Sequence, residues 1–152
     1  MNAPRETIFN SLLAQIGTAT SNGAPAFVTL SRKFVDYTQC PPSDQPAGFL
    51  VHGFENASQA RTLGQTSWRV KAVLFLYCQH STDVQAIPGT VLNNMLDATD
   101  SALKPPAYDD RQTLGGIVSH VYIDGEVIIS EGSLPDDTTS IAVIPITIET
   151  GV

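Results

Sequence analysis

The residues able to carry acid–base or metal chemistry are few in this chain, and they are scattered. The histidines are His52, His80 and His120, and the cysteines are Cys40 and Cys78. No pair among them has the helical or loop spacing that zinc sites require. The sequence therefore predicts no metal and no cofactor, and we interpret the two cysteines as free thiols.

One short stretch superficially resembles a nucleophilic triad, because Ser119 precedes His120 and Asp124 follows. The stretch has the composition of a β-strand, in which neighbouring side chains point to opposite faces. Ser119 therefore cannot bond His120 as a nucleophile bonds its base. The pair Gly115-Gly116 also lacks the glycine pattern of a phosphate-binding loop. We predict no catalytic residue and expect that the protein is not an enzyme.

The acidic residues are unevenly distributed. Residues 1–79 carry six basic and four acidic side chains, whereas residues 80–152 carry two basic and eleven acidic ones, for a net charge of −7. This asymmetry indicates a subunit with two electrically distinct surfaces, or a fold that mixes the two halves in space. The pairs Asp109-Asp110 and Asp136-Asp137 lie in predicted loops, either as cation ligands or as solvated turn residues.

The composition fits one folded domain, residues 1–152, which associates with other subunits. Hydrophobic residues make up 42% of the chain and charged residues 15%, against about 25% charged residues in a typical soluble protein. A surface with so little charge is typical of a protein partly covered by neighbours. The longest apolar run, 72–78, is shorter than the roughly 20 residues needed to span a bilayer, and we interpret the N-terminus as a helix and not as a signal peptide.

The elements that would position these residues are predicted from periodicity and turn signals. Apolar residues at helical spacing predict helices over 4–16 and 87–104, the second with its buried stripe at Val91, Leu92, Met95, Leu96, Ala102 and Leu103. Strands are predicted at 26–37, 47–54, 68–79, 117–124, 126–130 and 141–149. Asp124-Gly125 predicts a hairpin turn, and 55–67 reads as a polar loop. The expected fold class is α+β: a mixed, mostly antiparallel sheet of about six strands with two main helices packed on it.

The strand WRVKAVLFLYCQ, residues 68–79, begins with polar and apolar residues in alternation and then becomes continuously apolar. A strand that is apolar on both sides must be covered on both faces. We therefore predict a central strand with Val73, Leu74, Phe75 and Leu76 all largely buried, covered by a helix on each side or by another subunit. A helical period also fits this run, but its β-branched and aromatic content favours a strand.

Several stretches together resemble the tail terminator (tail completion, minor tail protein U-like) proteins of long non-contractile-tailed bacteriophages. They are RETIFNSLLAQI, FVTLSRKFVDY, SQARTLGQTSWRVKAVLFLY, IPGTVLNNMLDATDSAL, QTLGGIVSHVYIDGEV and AVIPITI. The resemblance covers nearly the whole chain in matching order. Its motifs are packing and turn patterns and contain no catalytic signature. The CPP stretch at Cys40 and the AYDDRQ loop have no counterpart in the family pattern.

This resemblance implies a structural virion protein that forms a homohexameric ring. Such a ring caps the tail tube, stops its polymerisation and provides the surface for joining the head connector. The implied partners are other copies of the chain, the tail tube protein and the head-completion or connector protein. DNA passes through without specific binding, no membrane is involved, and the location is the head-proximal end of the tail. A neck, connector or tube subunit remains an alternative, and a small cytosolic enzyme or ligand-binding domain is a more remote one.

Two sets of residues are predicted to serve this assembly. Pro145 interrupts the last strand, and proline in sheets is confined to edges and bulges. We therefore predict that 141–149 lies at or near a sheet edge and that Ile144, Pro145 and Ile146 contribute to a subunit interface. The acidic loops with Asp109, Asp110, Asp136 and Asp137 are predicted to face the DNA channel or its rim.

Overall fold

The computed structural model describes residues 3–59, 66–80, 85–132 and 138–151. Within these ranges the chain forms two α-helices, eight β-strands and two short 3-10 turns. In chain order the helices and strands are α1 (Arg5–Ile16), β1 (Thr20–Ser21), β2 (Ala24–Pro25), β3 (Thr29–Ser31), β4 (Ala47–Gln59), β5 (Thr66–Gln79), α2 (Gly89–Ala102), β6 (His120–Ile123), β7 (Ile128–Ser130) and β8 (Thr139–Thr150).

Six of the strands form one sheet in the order β3-β4-β5-β8-β6, with β7 also paired to β8. β3 runs parallel to β4, and the other pairs are antiparallel. The remaining two strands form a small hairpin around Asn22-Gly23, whose φ angles of 53° and 77° suit a tight turn. The predicted α+β fold with a mixed, mostly antiparallel sheet is confirmed.

Both helices pack on the same face of this sheet. The buried side of α1 presents Ile8, Phe9, Leu12 and Ile16, and Gly17 ends the helix as predicted, with its N–H donating to the Leu13 carbonyl. In α2 the buried side includes Leu92, Met95, Ala98 and Thr99. The predicted burial of Val91 is wrong, because this side chain lies on the outer side of the helix and is 39% exposed.

The core lies between the helices and the two long central strands. β5 and β8 pair over twelve residues, and their inward side chains are almost fully buried: Val70, Ala72, Leu74, Leu76, Cys78, Ala142, Ile144, Ile146 and Ile148. Burial raises the pKa of the Cys78 thiol to about 12, so this cysteine behaves as a small apolar residue. The predicted strand at 68–79 is confirmed as a central strand.

The opposite face of the sheet carries a second, smaller cluster made of Cys40, Ala47, Phe49 and Tyr77. The loop after β3 covers this end of the sheet. The Tyr77 hydroxyl donates to the Val35 carbonyl at 2.8 Å, and burial raises the pKa of Tyr77 to about 12. Coverage is incomplete because Val73 and Phe75 are only half-buried. Of the four residues predicted to be largely buried, Leu74 and Leu76 are fully buried, and Val73 and Phe75 are intermediate.

Two strand boundaries differ from the prediction. The predicted strand 26–37 is reduced to β3, because the chain leaves the sheet after Ser31, whose hydroxyl accepts the Lys33 N–H at 3.0 Å. The predicted polar loop 55–67 is strand in its described residues, because β4 continues to Gln59 and β5 starts at Thr66; residues 60–65 lie outside the described ranges. Paired backbone groups stabilise this segment although its side chains are polar and mostly exposed.

The predicted hairpin at Asp124-Gly125 is wrong. β6 and β7 both pair with β8 and follow one another along its outer side, so the Asp124-Gly125 segment is a bulge in one edge strand. The Asp124 N–H donates to the Pro145 carbonyl at 3.1 Å. The N–H and C=O groups of a strand residue point to the same side of the strand. Pro145 has no N–H, and the position where this donor would lie faces the bulge and not β5, so no hydrogen bond to β5 is lost.

This geometry also corrects the location of β8. β8 has β5 on one side and β6 and β7, one after the other, on its other side, so it is not at the sheet edge. The proline is tolerated in an inner strand because a bulge sits opposite it, which is the second setting that prolines in sheets adopt.

Candidate assembly surface

The residues singled out for chemistry are not brought together. Ser119 Oγ donates to the Gly151 carbonyl at 2.8 Å, and His120 Nδ1 accepts the Gln112 N–H at 3.2 Å. Each is therefore bonded to backbone and not to the other. The described residues contain no group of three or more His, Cys, Asp or Glu side chains that could hold a metal ion.

A groove of about 740 Å³ lies beside the β1–β2 turn and the outer side of α2. Its wall is mostly amides and hydroxyls, among them Thr18, Asn22, Asn94 and Gln112, and it contains neither histidine nor cysteine. The buried Gln112 side chain is committed to the fold, because it donates to the Lys104 carbonyl and accepts from the Leu114 N–H. The groove is also lined by Asp97 and Ser101, which lie one turn apart on α2, and by Lys104.

The sheet face opposite the helices is the most distinctive surface of the molecule. Apolar side chains are cross-strand neighbours there over the four strands β4, β5, β8 and β7. We call this surface the open sheet face, and it consists of Val51, Val73, Phe75, Ile128, Val143 and Pro145. All six are half-buried or exposed, with Ile128 61% exposed. Phe34, 47% exposed, packs edge-on against Phe75 with ring centroids 4.9 Å apart. A contiguous apolar surface of this kind is typical of a protein–protein contact.

A row of ion pairs continues the same face toward the other end of the strands. Lys71 Nζ lies 2.8 Å from Asp124 Oδ2, which also accepts the Thr147 hydroxyl at 3.1 Å. These hydrogen bonds, that of Lys71 foremost, hold the pKa of Asp124 below its usual range. The row joins the two halves of the chain in space, which supports the alternative in which the fold mixes them.

A second ion pair lies in the same row. Arg69 donates to Glu149 Oε1 at 2.9 Å, and the Tyr122 hydroxyl donates to the same oxygen at 3.0 Å. Burial raises the pKa of Glu149, but hydrogen bonds from Arg69 and Tyr122 outweigh it, so the net shift is downward. The row therefore presents paired, mutually neutralised charges.

A third cluster fixes α1 to the outer part of β4. Arg5 donates two hydrogen bonds of 2.7 Å to the Glu55 carboxylate, and its guanidinium lies 4.8 Å from the Trp68 ring centroid. His52 Nε2 approaches Glu55 Oε1 at 3.0 Å, and the His52 ring packs on Phe9. These contacts span the β-bulge between His52 and Glu55, so the bulged strand is held in place by the helix.

Both edges of the sheet have unpaired stretches. In the described part of the chain, no strand pairs with the outer side of β4 beyond Phe49. The outer side of β7 is likewise unpaired among the described residues. The two edges lie at opposite ends of the strand order.

The predicted interface residues fall in different environments. Ile144 and Ile146 are 1% and 0% exposed and belong to the core, so they lack the accessible area that a subunit contact needs. Pro145 is half-buried on the open sheet face, and its place in a subunit interface stays a prediction.

The predicted channel residues are described only in part. Asp109 and Asp110 lie in an exposed loop, where Asp109 Oδ1 accepts the Arg111 N–H at 3.1 Å. Asp136 and Asp137 lie outside the described residues. Whether these loops face a channel stays a prediction.

Sequence reasoning missed β7 as a functional candidate. Ile128 and Ile129 are both exposed, on an edge strand with no charge of its own. The signal was present as an uncharged, β-branched run between Glu126 and Glu131, but the Asp124-Gly125 dipeptide favoured a hairpin in which this run would be paired.

Comparison with solved structures gives only distant likenesses, one of them to a virion particle. No family model and no curated protein matches the chain. A chain in the solved structure of the virion of a native gene transfer agent particle superposes with a TM-score of 0.45 at 10% identity, covering 93% of this chain and 90% of that one. This likeness is too distant to bear on function. None of the described helices is long and apolar enough to cross a membrane.

Proposed function

We propose that this chain is a structural virion protein that forms a homohexameric ring, caps the tail tube of a phage or phage-like particle and stops its polymerisation. The ring provides the surface to which the head connector joins. The protein acts through surfaces and not through a catalytic site. DNA passes through the ring without sequence-specific contacts.

The observation that carries the proposal is the open sheet face. Both described helices lie on one face of the sheet, and the other face leaves Phe75, Val143 and Ile128 accessible. Burying such apolar surface gives about 25 cal/mol per Å², so covering it with another virion subunit is favourable. The sequence resemblance to tail terminators, over nearly the whole chain, supports the same role.

The two unpaired sheet edges add a second line of support. A closed ring requires two different surfaces on each subunit, which meet head to tail. The edges of β4 and β7 are different surfaces at opposite ends of one sheet, and this is the arrangement that a heterologous contact needs.

Size-exclusion chromatography with light scattering tests the assembly. We expect a particle of about 97 kDa, which is six times the 16.2-kDa chain, and electron micrographs with rings at one end of added tail tubes. Val143→Glu places a charge on the open sheet face and should abolish ring formation or binding to tube ends. Asn93→Glu, on the exposed side of α2, is the matched control and should do neither.

The alternatives give different results in the same experiment. A tube subunit would itself polymerise into tubes. A protein that stays monomeric at high concentration and ignores tube ends would contradict the proposal.

A further inference from the structure

The open sheet face is covered only in part by the described chain. Phe49, Phe75, Val143 and Ile128 form one row of cross-strand neighbours on this face. Exposure rises along the row, because Phe49 is buried in the cluster under the loop after β3, Phe75 and Val143 are half-buried, and Ile128 is 61% exposed. The half of the face that belongs to β8 and β7 therefore lies uncovered.

A second set of exposed apolar side chains surrounds the N-terminus of α2, on the other face of the sheet. Ile87, two residues before the helix, is 71% exposed, and Val91, one turn later, is 39% exposed. Ile129, on the helix side of β7, is 47% exposed. Glu131 follows β7 and lies against Gly89 at the start of α2, so the end of β7 reaches the helix N-terminus. We call Ile87, Val91 and Ile129 the helix-side patch.

The helix-side patch lies behind the part of the sheet that the open sheet face leaves uncovered. Ser140 Oγ donates to the Pro88 carbonyl at 3.3 Å, which fixes the start of α2 to β8 three residues before Val143. Ile128 and Ile129 are neighbours on β7 and point to opposite faces of the sheet. A copy displaced along the sheet normal therefore brings its helix-side patch to the uncovered half of the open sheet face.

These two surfaces hold most of the exposed apolar side chains in the described part of the chain. Six of the nine large ones lie there, because Phe34 and Tyr37, in the loop over the open sheet face, join Ile128 and the helix-side patch. Three side chains that are about half exposed leave on the order of 200 Å² of apolar surface on each side. A standard interface buries about 800 Å² per partner, so a contact between the two surfaces has an apolar centre and a polar rim.

We propose that copies of this chain pack front to back, with the helix-side patch of one copy on the open sheet face of the next. Ile87 and Val91 of one copy then cover the row at Val143 and Ile128 of its neighbour. The occupant is a second copy because the chain carries both surfaces behind one another across the same sheet. The inference rests on the proposed function, since it names the contact between neighbouring subunits of that ring.

Front-to-back packing gives the sheet a helix layer on both faces. An apolar sheet face is stable when another layer covers it, and a helix is a common cover. Apolar anchors one turn apart are the means by which helices dock in apolar grooves. The contact joins two different surfaces, so each copy keeps one of them uncovered until a ring closes. Packing two open sheet faces on each other would instead leave both helix-side patches exposed and would stop at a dimer.

Cysteine cross-linking of the full chain tests which surfaces meet. Phe34→Cys and Val91→Cys place thiols on the two surfaces, and the native thiols of Cys40 and Cys78 are buried. In the F34C/V91C double variant, a flexible bismaleimide should join neighbouring copies into a ladder that ends at six chains on a denaturing gel. Neither single variant should cross-link, because like surfaces do not meet. A mixture of the two single variants should give dimers only.

The control F34C/Y108C moves the second thiol to Tyr108, which is 90% exposed in the loop beyond the other end of α2, and it should give no ladder. Assembled F34C/V91C chains without a ladder would overturn the proposal, and so would dimers of F34C alone, which indicate packing of two open sheet faces.

Sedimentation equilibrium gives a second test that needs no cross-linker. Val91→Glu places a charge in the contact and should raise the dissociation constant between copies by at least about tenfold, which corresponds to ~1.4 kcal/mol. Ser101→Glu, exposed near the other end of the same helix, is the matched control and should leave it unchanged. Circular dichroism should show both variants folded. Equal dissociation constants for the two variants would overturn the proposal.

The outcomes separate this inference from the proposed function. Rings that cross-link through the two surfaces but bind no tube ends would support the front-to-back contact and contradict tube capping. Rings that cap tubes and give no ladder would do the opposite. A chain that never associates would contradict both.

Discussion

Glu55 is a single side chain that joins helix α1 to strand β4. Its carboxylate receives two hydrogen bonds from Arg5 and lies beside His52, and its side chain is only 14% exposed. The hydrogen bond from Arg5 is the largest cause of the lowered pKa of Glu55. Arg5 lies 50 residues before Glu55, so no local sequence pattern predicts the contact between them.

The lowered pKa of Glu55 predicts a pH-dependent contribution to stability. A carboxyl whose pKa is lower in the folded state stabilises the fold above its unfolded pKa, and this contribution disappears as the pH falls through the folded value. Glu55→Gln should therefore lower the free energy of unfolding at pH 7 and have little effect well below 4.5, the ordinary glutamate value. Urea unfolding at both pH values checks this. Glu6→Gln, at a carboxylate that is 74% exposed, should have a smaller effect, and an equal loss at both pH values for Glu55→Gln would contradict the account.

Leu74 is the core residue that the sequence predicts best, because it lies midway along an apolar run. It is 0% exposed and faces the helices from the central strand. Leu74→Ala should lower the free energy of unfolding by about 2–5 kcal/mol. Gln79→Ala, at an exposed position of the same strand, should change it by less than about 0.5 kcal/mol. A thermal melt in which both variants behave alike would show that Leu74 is not in the core.

At the scale of elements, the helices were predicted well and the strands less well. The helices follow from local signals, such as the apolar stripe of α1 and Gly17 after its last residue. The errors in the strand bounds have a common cause, because the length of a strand depends on how far its partner strand runs beside it. β3 pairs with β4 over only three residues, whereas β4 pairs with β5 as far as Gln59. Pairing partners lie far apart in sequence, as with the Phe49–Phe75 and Phe75–Val143 neighbours, and composition does not reveal them.

The bulge opposite Pro145 gives a prediction at this scale. Gly125 has a φ of 121°, and a Cβ added there would lie 3.2 Å from Pro145 Cγ. Gly125→Ala should therefore lower the free energy of unfolding by roughly 1–3 kcal/mol, because the backbone conformation is strained for any side chain. Glu126→Ala, next along the chain and exposed, should be nearly neutral. Equal unfolding midpoints in urea for the two variants would contradict the described bulge.

At the scale of the whole molecule, the uneven charge of the sequence is partly neutralised by folding. Arg69 and Lys71 of the first half pair with Glu149 and Asp124 of the second. The sequence could predict neither pair, since each joins strands more than fifty residues apart. What it did predict is a strand with apolar side chains on both faces, and the structure leaves Val73 and Phe75 on one of these faces partly exposed.

The acidic loops give a prediction for the assembled particle. If Asp109, Asp110, Asp136 and Asp137 line the channel, their charge repels passing DNA within a Debye length of about 8 Å and keeps it unbound. Replacing all four with asparagine should leave virions assembled but slow DNA ejection, measured by dye release from single particles. Unchanged ejection with altered solubility would place the loops on the outer rim.

The central claim is that this chain stops tail-tube growth by capping a tube end. The most direct measurement is the length of tubes polymerised from the tube protein of the same virion, followed by electron microscopy with and without this chain. The account predicts that added chain arrests elongation, with one ring at one end of each tube, and that Val143→Glu does not arrest it. Tubes that elongate equally in its presence, with bare ends, would contradict the account.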